Sequence, residues 1–176
     1  DRELCLAFER TQLYEAVSQD YDIEGFELFD SLVEAFGDIY KTYQYKKENP
    51  TVGIVDFLEL GCSMEEFEQF RLSFEKAGYR AKICDIREMT FDGQHLIDKD
   101  GDFIDIVYRR AVTSDILEHE KFVKPFLQAV ALHKVCCIGS FCTQIAHDKS
   151  LFYILRDIQT QSFLTKEEQE FIEEHI

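Results

Sequence analysis

The sequence lacks the residue patterns that mark a phosphate loop, a membrane span or a signal peptide. It contains 8 glycines, 2 prolines and no tryptophan among 176 residues, and no two glycines occur as Gly-x-Gly. A glycine-rich phosphate loop is therefore not expected. No apolar run approaches the ~20 residues that cross a bilayer, and no basic start precedes an apolar core. The sequence thus predicts neither a membrane span nor a signal peptide.

Positive charge is also scarce. The 19 basic residues face 35 acidic ones, which gives a formal net charge of −16 at pH 7. Such a field repels phosphate backbones and anionic lipids, so nucleic-acid and membrane partners are not expected. The simplest interpretation is a solvated acidic surface. A small anionic substrate would need a local basic site.

The six cysteines follow no framework spacing: Cys5, Cys62, Cys84, Cys136, Cys137 and Cys142. Neither a Cys-x-x-Cys pair nor paired histidines occur, so no zinc site is predicted. Cys136 and Cys137 are adjacent and would point to opposite faces of a strand. We expect no metal site, and we expect reduced thiols in a cytoplasmic protein.

Residues 1–48 are predicted to be a helical segment, an N-terminal appendage to the domain that follows. Apolar residues from Phe26 to Tyr43 recur at steps of three and four, as on one buried helical face, and an earlier helix is predicted over residues 3–17. Gly25 separates the two helices. Lys46–Pro50 is polar and ends in proline, which indicates a boundary after residue 48.

Residues 49–160 predict a Rossmann-like α/β domain with a mainly parallel sheet and helices on both faces. The predicted strands are Val52–Leu58, Arg80–Ile86, Phe103–Arg109 and Val135–Phe141. A capping box of Ser63 and Glu66 is expected to open the helix between the first two strands, so these should be parallel. The turn Lys99–Asp102 predicts a hairpin.

Two further helical stretches follow from the pattern. Ser114–His133 is predicted to be helical, and Pro125 should lie in the first turn of a second helix. Helix is also predicted from about Thr143 to Asp157. Residues 161–176 are predicted as a last helix, opened by a capping box of Thr165 and Glu168.

Ligands of open parallel sheets bind beyond the carboxyl ends of the strands. After the first strand come Gly61 and Ser63, where a helix start favours an anion, and Ser140 follows the last strand. Arg109 and Arg110 end the third strand. These positions are the candidate substrate-binding residues.

Two interpretations of the arginines stay open at this point. A guanidinium at a strand end can hold a carboxylate in a bidentate manner. Alternatively, Arg109 pairs with Asp105, which shares its strand face, or caps a helix end, and Arg110 lies in solvent.

The segment Asp100–Arg110 reads DGDFIDIVYRR and resembles a motif of the circularly permuted ATP-grasp family, which includes glutathionylspermidine synthase-like ligases. Two weaker similarities follow in the family's order. Val135–Lys149 ends in an Asp-Lys pair that opens a helix, and Phe171–Ile176 resembles the segment before the ATP-binding lobes. The resemblance covers roughly residues 51–176.

The resemblance implies a pre-ATP-grasp domain that supplies part of the acceptor-substrate site of an ATP-dependent carboxylate–amine ligase. It implies substrate contacts for Arg109 and Arg110, and it places Lys149 near the nucleotide. ATP and Mg²⁺ are then expected only in a longer parent, with no catalytic residue and no cofactor in this chain. The family often has Asn with small residues where Gly139–Cys142 stands here.

A second hypothesis comes from another class of function. The chain would be a non-catalytic module that binds a small acid, or a scaffold whose N-terminal helices pair two copies in a homodimer. On either hypothesis the isolated chain is expected to be inactive.

The first testable prediction concerns nucleotide. The isolated chain should neither hydrolyse ATP nor bind Mg-ATP tightly, because it has no phosphate loop and no visible acidic trio for Mg²⁺. Isothermal titration calorimetry measures the affinity. A micromolar Kd for Mg-ATP would contradict the prediction.

Overall fold

A computed structural model describes residues 2–23, 28–59 and 62–176 of the chain. The main sheet consists of four parallel strands: β1 (Thr51–Asp56), β2 (Arg80–Asp85), β6 (Ile106–Arg109) and β7 (Cys136–Ile138). Their order is β2-β1-β6-β7. A smaller antiparallel sheet contains β3 (Thr90–Phe91), β4 (Leu96–Ile97) and β5 (Phe103–Ile104). The predicted α/β class with a mainly parallel sheet is confirmed.

Helices precede the sheet, cover it and follow it. They are α1 (Arg2–Glu9), α2 (Gln12–Val17), α3 (Leu28–Thr42), α4 (Met64–Lys76), α5 (Thr113–Glu118), α6 (Lys124–Ala131), α7 (Ser150–Arg156), α8 (Ile158–Gln161) and α9 (Lys166–His175). Short 3₁₀ turns span Ile86–Glu88, Glu120–Phe122 and Phe141–His147. Pro125 lies in the first turn of α6, and Thr165 and Glu168 form a capping box at α9, both as predicted. No helix within the described ranges is long and apolar enough to cross a membrane.

Side chains of the main sheet alternate between two apolar clusters. Val52 and Ile54 pack with α3 and α4, whereas Val55 packs with α5 and α6 on the opposite face. Cys136 and Cys137 likewise point to opposite faces, as predicted. Because helices cover both faces, the central strand β1 is buried along almost its whole length.

The first predicted N-terminal helix differs from the observed structure. The helix expected over residues 3–17 is divided before Thr11, whose side-chain oxygen accepts a hydrogen bond from the Tyr14 N–H and so begins α2. The predictions at Gly25 and Phe26 lie outside the described residues. The predicted apolar stripe is confirmed within α3, where Phe29, Val33, Phe36 and Tyr40 are buried. α3 therefore belongs to the main core, whereas the domain divisions at residues 48 and 160 stay predictions.

The observed strands are shorter than predicted, for identifiable reasons. β1 ends at Asp56, whose Oδ1 accepts a hydrogen bond from the next backbone N–H. The predicted strand Phe103–Arg109 is wrong as one element, because it divides at Asp105 into antiparallel β5 and parallel β6. β7 ends before Gly139, whose φ of +78° turns the chain. A 3₁₀ turn also replaces the start of the helix predicted from Thr143.

All six cysteines are free thiols. Burial raises the pKa of Cys84 to about 12 and that of Cys137 to about 12. Both thiols are therefore protonated at neutral pH, and a protonated thiol is a poor nucleophile.

Lys82 ties the small hairpin to the main sheet. Its Nζ contacts the carboxylates of Asp98, Asp100 (2.9 Å) and Asp102 (2.7 Å). Burial alone would lower the pKa of Lys82, but its hydrogen bonds to these carboxylates raise it. Asp98 is nearly buried and also accepts hydrogen bonds from the Asp100 and Asp102 N–H groups. The ammonium lies among three carboxylates and reduces their mutual repulsion.

The second testable prediction follows from this contact. Lys82→Met should lower the free energy of unfolding by about 2–4 kcal/mol at pH 7, because it leaves a nearly buried carboxylate without its cation. Arg80→Met is the matched control, since Arg80 is 67% exposed and pairs with Asp102 alone at 3.3 Å. Its expected loss is below about 1 kcal/mol. Urea unfolding measures both values.

The pH dependence has a defined sign. Lys82 lowers the pKa of Asp102, so this stabilisation is present above the unfolded pKa of about 3.9 and is lost as the pH falls through the folded pKa. The difference between Lys82→Met and the wild type should therefore shrink in acid. An equal loss for both lysine and arginine variants would contradict the role of Lys82.

Candidate functional site

The chain changes direction across the sheet between β1 and β6. It leaves β1 through α4 to β2 on one side, and it leaves β6 through α5 and α6 to β7 on the other. The connecting helices pack on opposite faces of the sheet. Such a switch point opens a crevice at the carboxyl ends of the strands, where open α/β sheets bind ligands.

Arg110 follows β6 directly at this crevice. Its backbone N–H donates to the Val55 carbonyl (2.9 Å), which fixes the residue beside the end of β1. Its guanidinium donates to the Tyr108 hydroxyl (3.2 Å) and to a Glu66 carboxylate oxygen (3.2 Å). The Nε atom is buried and has no acceptor among the described residues. The expectation that Arg110 lies in solvent is wrong, because Glu66 and Tyr108 hold it at the sheet edge.

Asp56 ends β1 in the same crevice. Burial is the largest effect on its carboxyl and raises its pKa, although the Phe57 N–H and the charge of Arg110 act in the opposite direction. The negative charges of Asp115 and Asp85 raise it further. The crevice therefore combines a guanidinium with a carboxylate whose ionisation is disfavoured, a type of perturbation that is common at functional sites.

Arg109 lies on the other face of the sheet and is already engaged. Its Nε donates to the Gly139 carbonyl and its NH1 to the Ala111 carbonyl, and the guanidinium lies 4.9 Å from the centre of the Phe141 ring. The alternative that Arg109 pairs with Asp105 is wrong, because Asp105 pairs with Lys47 instead. The contacts of Arg109 join the ends of β6 and β7, and its role towards a ligand stays a prediction.

The other predicted site residues are less closely connected to Arg110. Gly61 lies outside the described residues. Ser63 is the exposed N-cap of α4 but makes no capping hydrogen bond, so the predicted box with Glu66 does not form. Ser140 starts the 3₁₀ turn after β7, and Lys149 is exposed before α7. Their assignments also stay predictions.

The structure adds three residues to the candidate site: Asp56, Glu66 and Tyr108. Tyr108 precedes Arg110 by two positions, so the period of a strand places both on one face. Asp56 is the charged last residue of an otherwise largely apolar strand, which is a signal that the sequence contains. Glu66 has no such signal, because it meets Arg110 across 44 positions of the chain.

A third charged group lies at the outer edge of the sheet. Arg87 forms a bidentate pair with Asp85 (2.9 and 2.6 Å) and also contacts Glu59 (3.1 Å). Burial would raise the pKa of Asp85, but the hydrogen bonds from Arg87 lower it. This guanidinium is fully paired. Within the described part of the chain, no group of three or more His, Cys, Asp or Glu side chains could hold a metal ion.

The third testable prediction concerns Asp56. A carboxyl whose folded pKa is raised loses stability as the pH rises from the unfolded pKa of about 3.9 through the folded value. Asp56→Asn keeps an acceptor for the Phe57 N–H and should therefore raise Tm by a few degrees at pH 7. At pH ~3 both states are protonated and the gain should vanish.

Asp92→Asn provides the control of opposite sign. Hydrogen bonds from the His95 and Gln94 N–H groups lower the pKa of Asp92 to about 2, so its charge is stabilised in the folded state. This variant should lower Tm at pH 7. Differential scanning calorimetry at the two pH values measures both effects. A Tm of Asp56→Asn below that of the wild type at pH 7 would contradict the interpretation.

Comparison of the chain with protein-family models and with curated proteins found no match. The resemblance to circularly permuted ATP-grasp proteins therefore stays a prediction. The switch point at the carboxyl edge, where Arg110 follows β6 and its charge acts on Asp56 at the end of β1, is the structural evidence that bears on function.

Proposed function

We propose that the chain is the substrate-binding domain of a longer ATP-dependent carboxylate–amine ligase, and that Arg110 holds a carboxylate group of the substrate. The observation that carries the proposal is the guanidinium of Arg110 at the switch point, with a buried Nε that has no acceptor among the described residues. A buried N–H without an acceptor costs about 1–3 kcal/mol, so the guanidinium would gain from a rearrangement in which a ligand carboxylate replaces Glu66 and also reaches Nε.

Glu66 supports an exchangeable site. Its carboxylate is 36% exposed and makes one contact of 3.2 Å with Arg110. An ion pair that is open to solvent contributes about 0–1 kcal/mol, so a ligand carboxylate can displace Glu66 at little cost. The displaced side chain would remain in water at the start of α4.

Asp56 supports a binding site for an amine group of the substrate next to that carboxylate. Its Oδ1 accepts a hydrogen bond from the Phe57 N–H (2.8 Å), and a ligand ammonium would stabilise its disfavoured charge. A ligase of this kind joins a carboxylate to an amine. In the proposed parent, this chain binds and orients the substrate, whereas the nucleotide lobes supply ATP and Mg²⁺, with Lys149 near the nucleotide.

A second candidate is a non-catalytic scaffold module. Large apolar side chains are exposed on the C-terminal segment: Ile145, Phe152, Tyr153, Ile158, Phe163 and Phe171. Exposed apolar surface of this kind favours an interaction with protein, either a second copy or another domain. Ligand binding at Arg110 distinguishes the first candidate from the second.

The fourth testable prediction uses succinate as the probe and its neutral analogue succinamide as the control. Succinate should bind, and Arg110→Met should weaken it at least tenfold, which corresponds to about 1.4 kcal/mol for a lost charged hydrogen bond. Glu66→Gln should strengthen it, because the competing carboxylate is gone. Amide chemical shifts in NMR titrations measure each affinity and locate the site.

Arg109→Met is the matched control at the neighbouring position. It removes two contacts to carbonyl groups and should lower stability by about 2 kcal/mol while leaving the affinity for succinate unchanged. If succinate does not bind near Arg110, or if succinamide binds equally well, the ligand-binding proposal fails and the scaffold is favoured. If only Arg109→Met lowers the affinity for succinate, Arg109 and not Arg110 contacts the substrate.

A further inference from the structure

A cavity lies at the opposite, amino-terminal edge of the main sheet. It has a volume of about 170 Å³, which is space for about five or six water molecules at ~30 Å³ each. Its lining residues are Tyr43, Tyr45, Lys47, Gln94, His95, Ile104, Asp105 and Lys134. Three of them have rings and two have ammonium groups, although the protein as a whole is strongly acidic.

Lys134 is the distinctive residue of this cavity. Its Nζ donates to Gln94 Oε1 (3.0 Å) and lies 5.6 Å from the centre of the Tyr45 ring. Among the described residues no carboxylate pairs with it. In a chain with 35 acidic residues, a half-buried lysine with only neutral contacts is an available site for an anion.

The charges that line the cavity add up to a site for one negative charge. Lys47 Nζ contacts Asp105 Oδ1 (2.5 Å), so these two charges balance each other. His95 contacts Asp92, which lies outside the cavity lining. Lys134 therefore contributes the one uncompensated charge, and a monoanion would neutralise it.

The walls of the cavity favour a flat ring. The Tyr43 hydroxyl donates to the His133 carbonyl (2.6 Å), which holds that ring in place, and Tyr45 contacts it edge-on at 6.0 Å between centroids. On the other side, the His95 imidazole is stacked on Phe103 at 4.3 Å. Both walls are therefore ordered by contacts of their own, and aromatic faces gain from a further ring.

We propose that this cavity binds a small aromatic carboxylate, whose carboxylate pairs with Lys134 and whose ring lies among Tyr43, Tyr45 and His95. The site is independent of the crevice at Arg110, because it lies at the other end of the strands. Asp105 limits its affinity, since its charge opposes any anion that enters.

The experiment uses benzoate as the probe and benzamide, its neutral analogue of the same shape, as the control. Benzoate is expected to bind with a millimolar or lower Kd and to shift the amide resonances of residues 43–47, 94–95 and 134. Benzamide should bind at least tenfold more weakly. Both ligands are titrated into the ¹⁵N-labelled chain by NMR.

Four variants test the assignment. Lys134→Met should weaken benzoate at least tenfold, whereas Lys121→Met, which removes an equal charge from an exposed position, should not change it. Asp105→Asn should strengthen benzoate several-fold, an effect that a merely damaged fold would not give. Arg110→Met should leave benzoate binding unchanged, which separates this cavity from the crevice.

Several results would overturn the proposal. These are the absence of saturable shifts up to about 20 mM benzoate, equal binding of benzamide, or unaltered binding in Lys134→Met. The proposal would also be overturned if benzoate shifted only amide resonances around Arg110 and lost affinity in Arg110→Met. If Lys134→Met is too unstable to measure, Lys134→Arg should retain binding and Lys134→Gln should weaken it at least tenfold, and equal binding by these two variants would overturn the proposal.

Discussion

Asp105 fixes the alignment of the two central strands, and the carboxyl edge depends on that alignment. Its Oδ2 accepts a hydrogen bond from the Thr51 N–H (3.0 Å), and its backbone N–H donates to the Thr51 carbonyl (2.9 Å). The chain thus leaves the antiparallel hairpin and enters β6 opposite the start of β1. The resulting register sets Arg109 opposite Val55, so Arg110 comes to lie beside the end of β1. A shift by one residue would exchange the two arginines between the faces of the sheet.

How far the sequence determines the fold depends on whether the decisive contacts are local. The sequence pattern places all four parallel strands, because helices cover both faces of the sheet. Two capping boxes have the same local pattern, yet only that of Thr165 and Glu168 forms. At Ser63 the box does not form, since Glu66 contacts an arginine 44 positions away. The division of β5 from β6 depends equally on a contact between distant residues, that of Asp105 with Thr51.

The candidate site shows the same limit. The Tyr-Arg-Arg sequence directs attention to the right strand end, but it does not show which arginine faces the crevice. That choice depends on Gly139, whose turn brings its carbonyl to Arg109, and on Glu66, which meets Arg110. Charge is therefore distributed unevenly between the two ends of the sheet. At the carboxyl end Arg110 and Arg87 are paired with acids and Arg109 is held by carbonyl groups, and at the amino end Lys134 is left with neutral neighbours.

In the turn of the hairpin, Lys82 supplies from the chain itself the positive charge that three aspartates require. Acidic turns of similar composition are often ordered by a bound calcium ion, which is supplied by the surroundings and is lost when the ion is scarce. Here an ammonium on the neighbouring strand occupies the centre of the turn, at 2.7 Å from Asp102 and 2.9 Å from Asp100. The cation is thus part of the polypeptide, and every molecule has one ammonium for this turn. The order of this turn therefore depends on the ionisation of side chains that belong to the chain itself.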